Sequence, residues 1–113
     1  MEDSKVFVTQ VPSRLEDGQW VPTVDITPAR KFGEIEVLFP AGFFYTDRSS
    51  FQRLKERLHA FQSDNDFLLP MGDPVLMSAA AAILGSRHEA FSVLKWDRKT
   101  SEYYHYTIPY EQR

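Results

Sequence analysis

The chain has 113 residues, enough for one compact core and too few for two ordinary domains, so residues 1–113 read as a single domain. Hydrophobic residues make up 42% and charged residues 26%, which excludes wholesale disorder. A net charge of −3 argues against general nucleic-acid binding by phosphate neutralisation, and the lack of cysteine excludes disulfides, thiolate catalysis, iron–sulfur clusters and cysteine-based zinc sites.

A cysteine-free domain fits a reducing cytoplasm. Met1 to Lys5 carries no basic region followed by an apolar stretch, so no leader is expected. The best apolar run, Val75 to Leu84, is well short of the ~20 residues that span a bilayer, and no membrane segment is expected. Nine Phe, five Tyr and two Trp supply the large side chains a small core needs. Each Å² of apolar area they remove from water contributes roughly 25 cal/mol.

Lys5 to Val11 is rich in β-branched and aromatic residues and reads as a strand. Pro12 ends it, a polar turn runs to Gly18, and Trp20 to Ile26 reads as the returning strand of a long-looped hairpin, with Pro22 favouring a sheet edge. Thr27-Pro28 is a helix-start pair, Thr as N-cap and Pro at the first helical position, and Gly33 limits that helix to one or two turns. Glu34 to Phe39 is a third strand, closed by Pro40 and Gly42.

Phe51, Leu54, Leu58 and Phe61 then form one apolar stripe of a helix capped by Asp47, Ser49 or Ser50. After the turn cluster Ser63 to Asp66, Phe67-Leu68-Leu69 has the look of a strand buried on both faces. Asp73 is placed as N-cap and Pro74 as the first residue of a second helix, Val75 to Leu84, with Gly85 as terminator. Phe91 to Trp96 and Glu102 to Ile108 make a C-terminal hairpin. The fold class is α/β (or α+β): a single mixed sheet of about six strands in the order β-β-β-α-β-α-β-β, with two main helices.

Three places invite a functional reading. Gly72 and Asp73 lie between a buried strand and a helix N-terminus, where ligands of open α/β sheets bind. Asp73 as a cap, together with the missing N–H of Pro74, gives the competing, purely structural account. Lys95, Trp96 and Arg98 lie at the tip of the last hairpin and could stack on and neutralise a partner, or Trp96 could pack on the sheet. Ser92, Leu94 and Trp96 share one strand face, and Phe91, Val93 and Lys95 the other.

Tyr103, Tyr104, His105, Tyr106 and Tyr110 form an aromatic C-terminal segment, Tyr104 and Tyr106 on one face and Tyr103 and His105 on the other. This suits an interaction surface, and equally cross-strand packing against Trp96 and Phe91. Arg53 and Arg57, four apart and diluted by Glu56, read as a solvated helix face. His59, His88 and His105 are isolated, no nucleophile-elbow motif is present, and Glu34 and Glu36 read as solvent-facing. No cofactor, metal or catalytic residue is assigned.

The segments VFVTQVPSR (Val6 to Arg14), QWVPTVDITPA (Gln19 to Ala29), FGEI (Phe32 to Ile35), LLPMGDPVLM (Leu68 to Met77) and VLKWDR (Val93 to Arg98) together resemble those of a family of small tailed-bacteriophage proteins. The resemblance covers most of the chain and supplies no catalytic residue. It implies a viral origin, expression in the host bacterial cytoplasm and an accessory role in infection. Phe67 to Leu84 is also similar in outline to Rossmann-like nucleotide sensors, though without their glycine- and threonine-rich turn. The expectation is a non-enzymatic protein that binds a protein partner, either a second copy or a host or viral factor. The alternative is a Rossmann-like nucleotide- or nucleic-acid-binding module using Gly72 with Lys95, Trp96 and Arg98.

Overall fold

The computed structural model describes residues 3–108. Strand β1 (Lys5–Gln10) is the centre of the architecture. Five of its six residues are buried, so both of its faces must be covered and both of its edges paired. It pairs in parallel with β4 (Glu34–Phe39) on one side and with β5 (Phe67–Leu69) on the other. Beyond β5 lies β6 (Phe91–Asp97), also parallel, and then β7 (Glu102–Ile108), antiparallel to β6. The five-stranded sheet therefore runs β4-β1-β5-β6-β7, and the α/β class expected from the sequence holds.

The expected single sheet of six strands is instead this sheet plus a separate two-stranded one. β1 does not form a hairpin with the segment that follows it. Ser13–Glu16 (β2) pairs with Gln19–Pro22 (β3) around a two-residue turn, with Asp17 at φ 49° and Gly18 at φ 79°. Asp-Gly with both residues at positive φ is the tight turn whose twist suits a hairpin. It folds residues 13–22 on themselves and leaves both edges of β1 free for β4 and β5.

The segment Thr27–Phe32 is a 3-10 helix, short as expected from Gly33, with Pro28 in its first turn. Its start is one residue earlier than the Thr27 cap predicts. Ile26 is the cap residue, and the Asp25 carboxylate accepts the Thr27 N–H at 3.0 Å. Ala29 of this helix is fully buried with Val6, Val8, Leu69, Leu94 and Tyr103 on one sheet face.

The other face carries both α-helices and the larger core, which includes Phe7, Phe39, Leu68 and Phe91. Helix α1 (Arg48–Arg57) is capped by Asp47, whose carboxylate accepts the Ser49 N–H. Leu54, Leu58 and Phe61 of its expected stripe are buried, although Leu58 is the C-cap residue and Phe61 lies just past the turn that follows the helix. Helix α2 (Pro74–Arg87) starts at the Asp73 cap as predicted but does not stop at Gly85. Arg87 extends it, donating to the carbonyls of Leu58 and Lys55, and His88 N–H closes on Leu84. Those carbonyls give the last turn partners that the glycine does not interrupt.

Candidate functional site

Two regions bring together residues singled out in the sequence. The first is the carboxyl end of β1, β4 and β5, where three loops meet over Gln10. This side chain is 7% exposed. Its amide nitrogen donates to the carbonyls of Pro40 (3.0 Å) and Phe43 (2.7 Å), and its amide oxygen accepts the Asp73 N–H (2.8 Å). Thr9, fully buried beside it, accepts the Met71 N–H at 2.8 Å and donates to the Met71 carbonyl. Two polar side chains at the end of a buried strand thereby fix the β5–α2 connection.

Within that connection Gly72 and Asp73 have structural duties. Gly72 sits at φ 87°, and a Cβ there would lie 2.5 Å from Gln10 Oε1. Asp73 accepts the Val75 N–H with one carboxylate oxygen and the Tyr45 N–H with the other, both at 2.9 Å. The carboxylate thus caps α2 and also pins the segment before α1. Next to these residues the indole of Trp20, brought over by the β2–β3 hairpin, packs on Gly42, where a Cβ would come within 2.8 Å of the ring. Sequence reading singled out neither Gln10 nor Trp20. The signal for Gln10 was the polar pair Thr9-Gln10 following the apolar run Val6-Phe7-Val8 in a strand that reads as buried.

The second region is the C-terminal hairpin, and here the candidate residues separate onto two faces. Trp96 stands directly opposite Tyr103, their rings edge-on with centroids 4.9 Å apart. Tyr103 is 3% exposed and belongs to the core with Leu94, while Trp96 packs on its ring and stays 38% exposed. Burial pushes the Tyr103 phenol above its ordinary value of 10.0, and the Asp25 carboxylate adds to the shift. His105 is on the same face, its ring 5.9 Å from Phe67 and 6.2 Å from Phe32.

Lys95, Tyr104 and Tyr106 occupy the opposite face. Lys95 pairs with Tyr104 and Val93 with Tyr106, and Tyr104 Oη bonds Thr100 Oγ1 at 3.1 Å. Ile108, beside Phe91, continues this row. Tyr104, Tyr106 and Ile108 are all exposed, because α1 and α2 cover the sheet nearer to β1. Arg98 lies in the exposed turn between the strands. Tyr110 lies outside the described residues.

Arg57 donates to the Leu38 carbonyl at 2.7 Å, and Arg53 lies over the stacked rings of Phe39 and Phe43, so neither is a merely solvated charge. Glu36 pairs with Lys5 at 3.3 Å. Among the described residues no group of three or more histidine, aspartate or glutamate side chains is placed to hold a metal ion, and no helix is long and apolar enough to cross a membrane.

The architecture defines a small α/β protein whose mixed five-stranded sheet ends in an antiparallel edge strand, with both α-helices on one face and the 3-10 helix on the other. The chain belongs to the phage Pam3 gp32-like protein family, whose model matches residues 4–110. That agrees with the phage resemblance carried by its segments. No curated protein and no solved structure matches the chain.

Proposed function

We propose that this phage protein is a non-enzymatic accessory protein of the host cytoplasm that works by binding a protein partner through strand β7. The observation that carries the reading is the state of that edge. β7 is the last strand of the sheet, its pairing with β6 runs without a bulge from Glu102 to Ile108, and Tyr104, Tyr106 and Ile108 stand exposed along one face.

Edge strands are ordinarily guarded by charges, proline or bulges, because their free N–H and C=O groups pair with any strand that approaches. The opposite edge has such guards: β4 carries Glu34 and Glu36, with Lys5 alongside. On β7 the one charged residue is Glu102 at its start, paired with Lys31 at 3.4 Å, and from Tyr103 to Ile108 the strand has no lysine, arginine, acid or proline. An edge without charge or proline over its last six residues, and flanked by tyrosines, suits strand addition by a partner, with backbone pairing for affinity and the tyrosines for specificity. The partner is a second copy or a host or viral strand.

The nucleotide and nucleic-acid alternative has weaker support, because Asp73 is engaged as a double cap and Trp96 is packed on Tyr103. Sedimentation over a range of concentrations, with affinity capture from infected cells, tests the proposal. Self-association or a specific captured protein, lost in both Tyr104→Lys and Tyr106→Lys, is the expected result. A strictly monomeric protein whose captured set is unchanged by either substitution would overturn it.

A further inference from the structure

The chain leaves β1 for β4 on one side and then crosses through α1 to β5 on the other. The strand order reverses between β1 and β5, and in open α/β sheets the crevice outside the carboxyl ends at such a reversal is where ligands bind. Here that crevice is a cleft of about 370 Å³, formed by the ends of β1 and β5, the loop after β4 and the β2–β3 hairpin. Of its lining residues Gln10 is buried and Gly72 and Phe43 are half-buried, while Trp20 and Phe44 are exposed. Phe44 is 70% exposed and Trp20 49%, so two large apolar side chains of one cleft are both open to solvent.

The chemistry of the walls selects the ligand. The amide of Gln10 and both carboxylate oxygens of Asp73 are committed to backbone partners, so these groups have hydrogen bonds to keep rather than to offer. At the α2 N-terminus an anion would meet the Asp73 carboxylate, and Pro74 has no N–H to give it. What remains is aromatic surface from two separate segments, Trp20 of strand β3 and Phe44 of the loop after β4, suited to stacking on a flat ring. The volume is at the small end of the ~300–1,000 Å³ range of ligand pockets, room for one ring system with a substituent. A larger depression, about 720 Å³, opens at the amino ends of the strands near Gly33 and Asn65. It lies at the wrong end for a switch-point site, and Asn65 there already accepts the Ser4 hydroxyl.

The geometry points to a binding site for a neutral, nucleoside-sized heteroaromatic molecule in this cleft, stacked against Trp20 and Phe44 and excluding a phosphate through Asp73. The test uses the Trp96→Phe protein, in which Trp20 is the only tryptophan, titrated with adenosine, guanosine, cytidine and thymidine and followed by Trp20 emission. The expected result is saturable quenching by at least one nucleoside, weakened at least tenfold by Phe44→Ala. Its 5′-monophosphate should bind at least threefold more weakly, and Asp73→Asn should narrow that gap. No saturable change with any of the four overturns the inference. So does quenching that Phe44→Ala leaves intact, or a monophosphate that binds as tightly as its nucleoside.

Discussion

The amide oxygen of Gln10 accepts the backbone N–H of Asp73 at 2.8 Å, joining positions 63 residues apart. The same side chain donates to Pro40 and Phe43, so one amide ties the loops after β1, β4 and β5 into a single unit. Both donor protons and the acceptor are used, and each partner is a backbone group, of which the Pro40 carbonyl also accepts the Phe43 N–H at 3.3 Å. Leaving a buried polar group without its partner costs about 1–3 kcal/mol. Gln10→Ala is therefore expected to lower stability by about 2–4 kcal/mol in urea denaturation. Gln10→Glu turns an acceptor-only carboxylate toward two carbonyls. Its folded-state pKa must rise, so that variant should regain stability as the pH falls and lose it as the pH rises.

Gly72 shares that junction, and its replacement separates backbone strain from collision. Gly18 and Gly72 have similar φ, 79° and 87°. Around Gly18 a Cβ meets nothing within 4 Å, whereas at Gly72 it would fall 2.5–2.9 Å from three Gln10 atoms. Gly18→Ala should cost about 1 kcal/mol, the usual penalty of positive φ. Gly72→Ala should cost at least about twice that, since the Gln10 bonds must yield as well. Equal midpoints for the two variants would show that the Gln10 contact adds nothing.

The elements were legible where local chemistry and tertiary demand agree. The Asp73-Pro74 start of α2 needs only its own sequence, as does the apolar run Phe67-Leu68-Leu69 that makes β5 a central strand. Pairing was less legible, because it depends on what lies far away. Lys5 to Val11 and Trp20 to Ile26 look like two arms of one hairpin, yet Asp17-Gly18 turns the chain locally and β1 takes its neighbours from residues 34–39 and 67–69. Gly85 reads as a helix stop, but the carbonyls that Arg87 reaches are 29 and 32 residues upstream. In the hairpin, alternation placed Tyr103 opposite to Tyr104 and Tyr106 correctly. It could not say which face the helices leave open.

That difference between the two tyrosine faces is measurable. Tyr103 is in the core against Trp96 and Leu94, while Tyr106 is 52% exposed. Tyr103→Ala should destabilise by about 3–5 kcal/mol, the range for removing a buried aromatic ring. Tyr106→Ala should stay within about 0.5 kcal/mol, as surface changes usually do. Tyr103 also adds an alkaline limb to stability. Its pKa is raised on folding, so its contribution is complete below 10.0, the unfolded value, and is lost as the pH rises through the folded one. Tyr103→Phe should flatten the fall in denaturation midpoint above pH 10, and an unchanged slope would count against the burial that causes it.

At the acid end the corresponding group is Asp47. Hydrogen bonds from Ser49, first its side chain at 2.7 Å and then its backbone N–H at 3.0 Å, hold the carboxyl below its ordinary 3.8. A pKa lowered on folding contributes stability that is complete above 3.8 and is lost as the pH falls through the lower folded value. Asp25, held low by Thr27 at the start of the 3-10 helix, acts in the same direction. Asp47→Asn keeps an oxygen for the cap but removes the charge that favours a helix N-terminus. Its denaturation midpoint should lie below that of the parent at pH 6, and the two should converge between pH 4 and pH 2. Asp47→Ala loses the cap and the titration together, so it should remain below the parent at neutral pH and vary less with acidification. Far-ultraviolet circular dichroism during urea unfolding at each pH measures all three. An Asp47→Asn protein that loses midpoint in acid as steeply as the parent would move the acid sensitivity to another carboxylate.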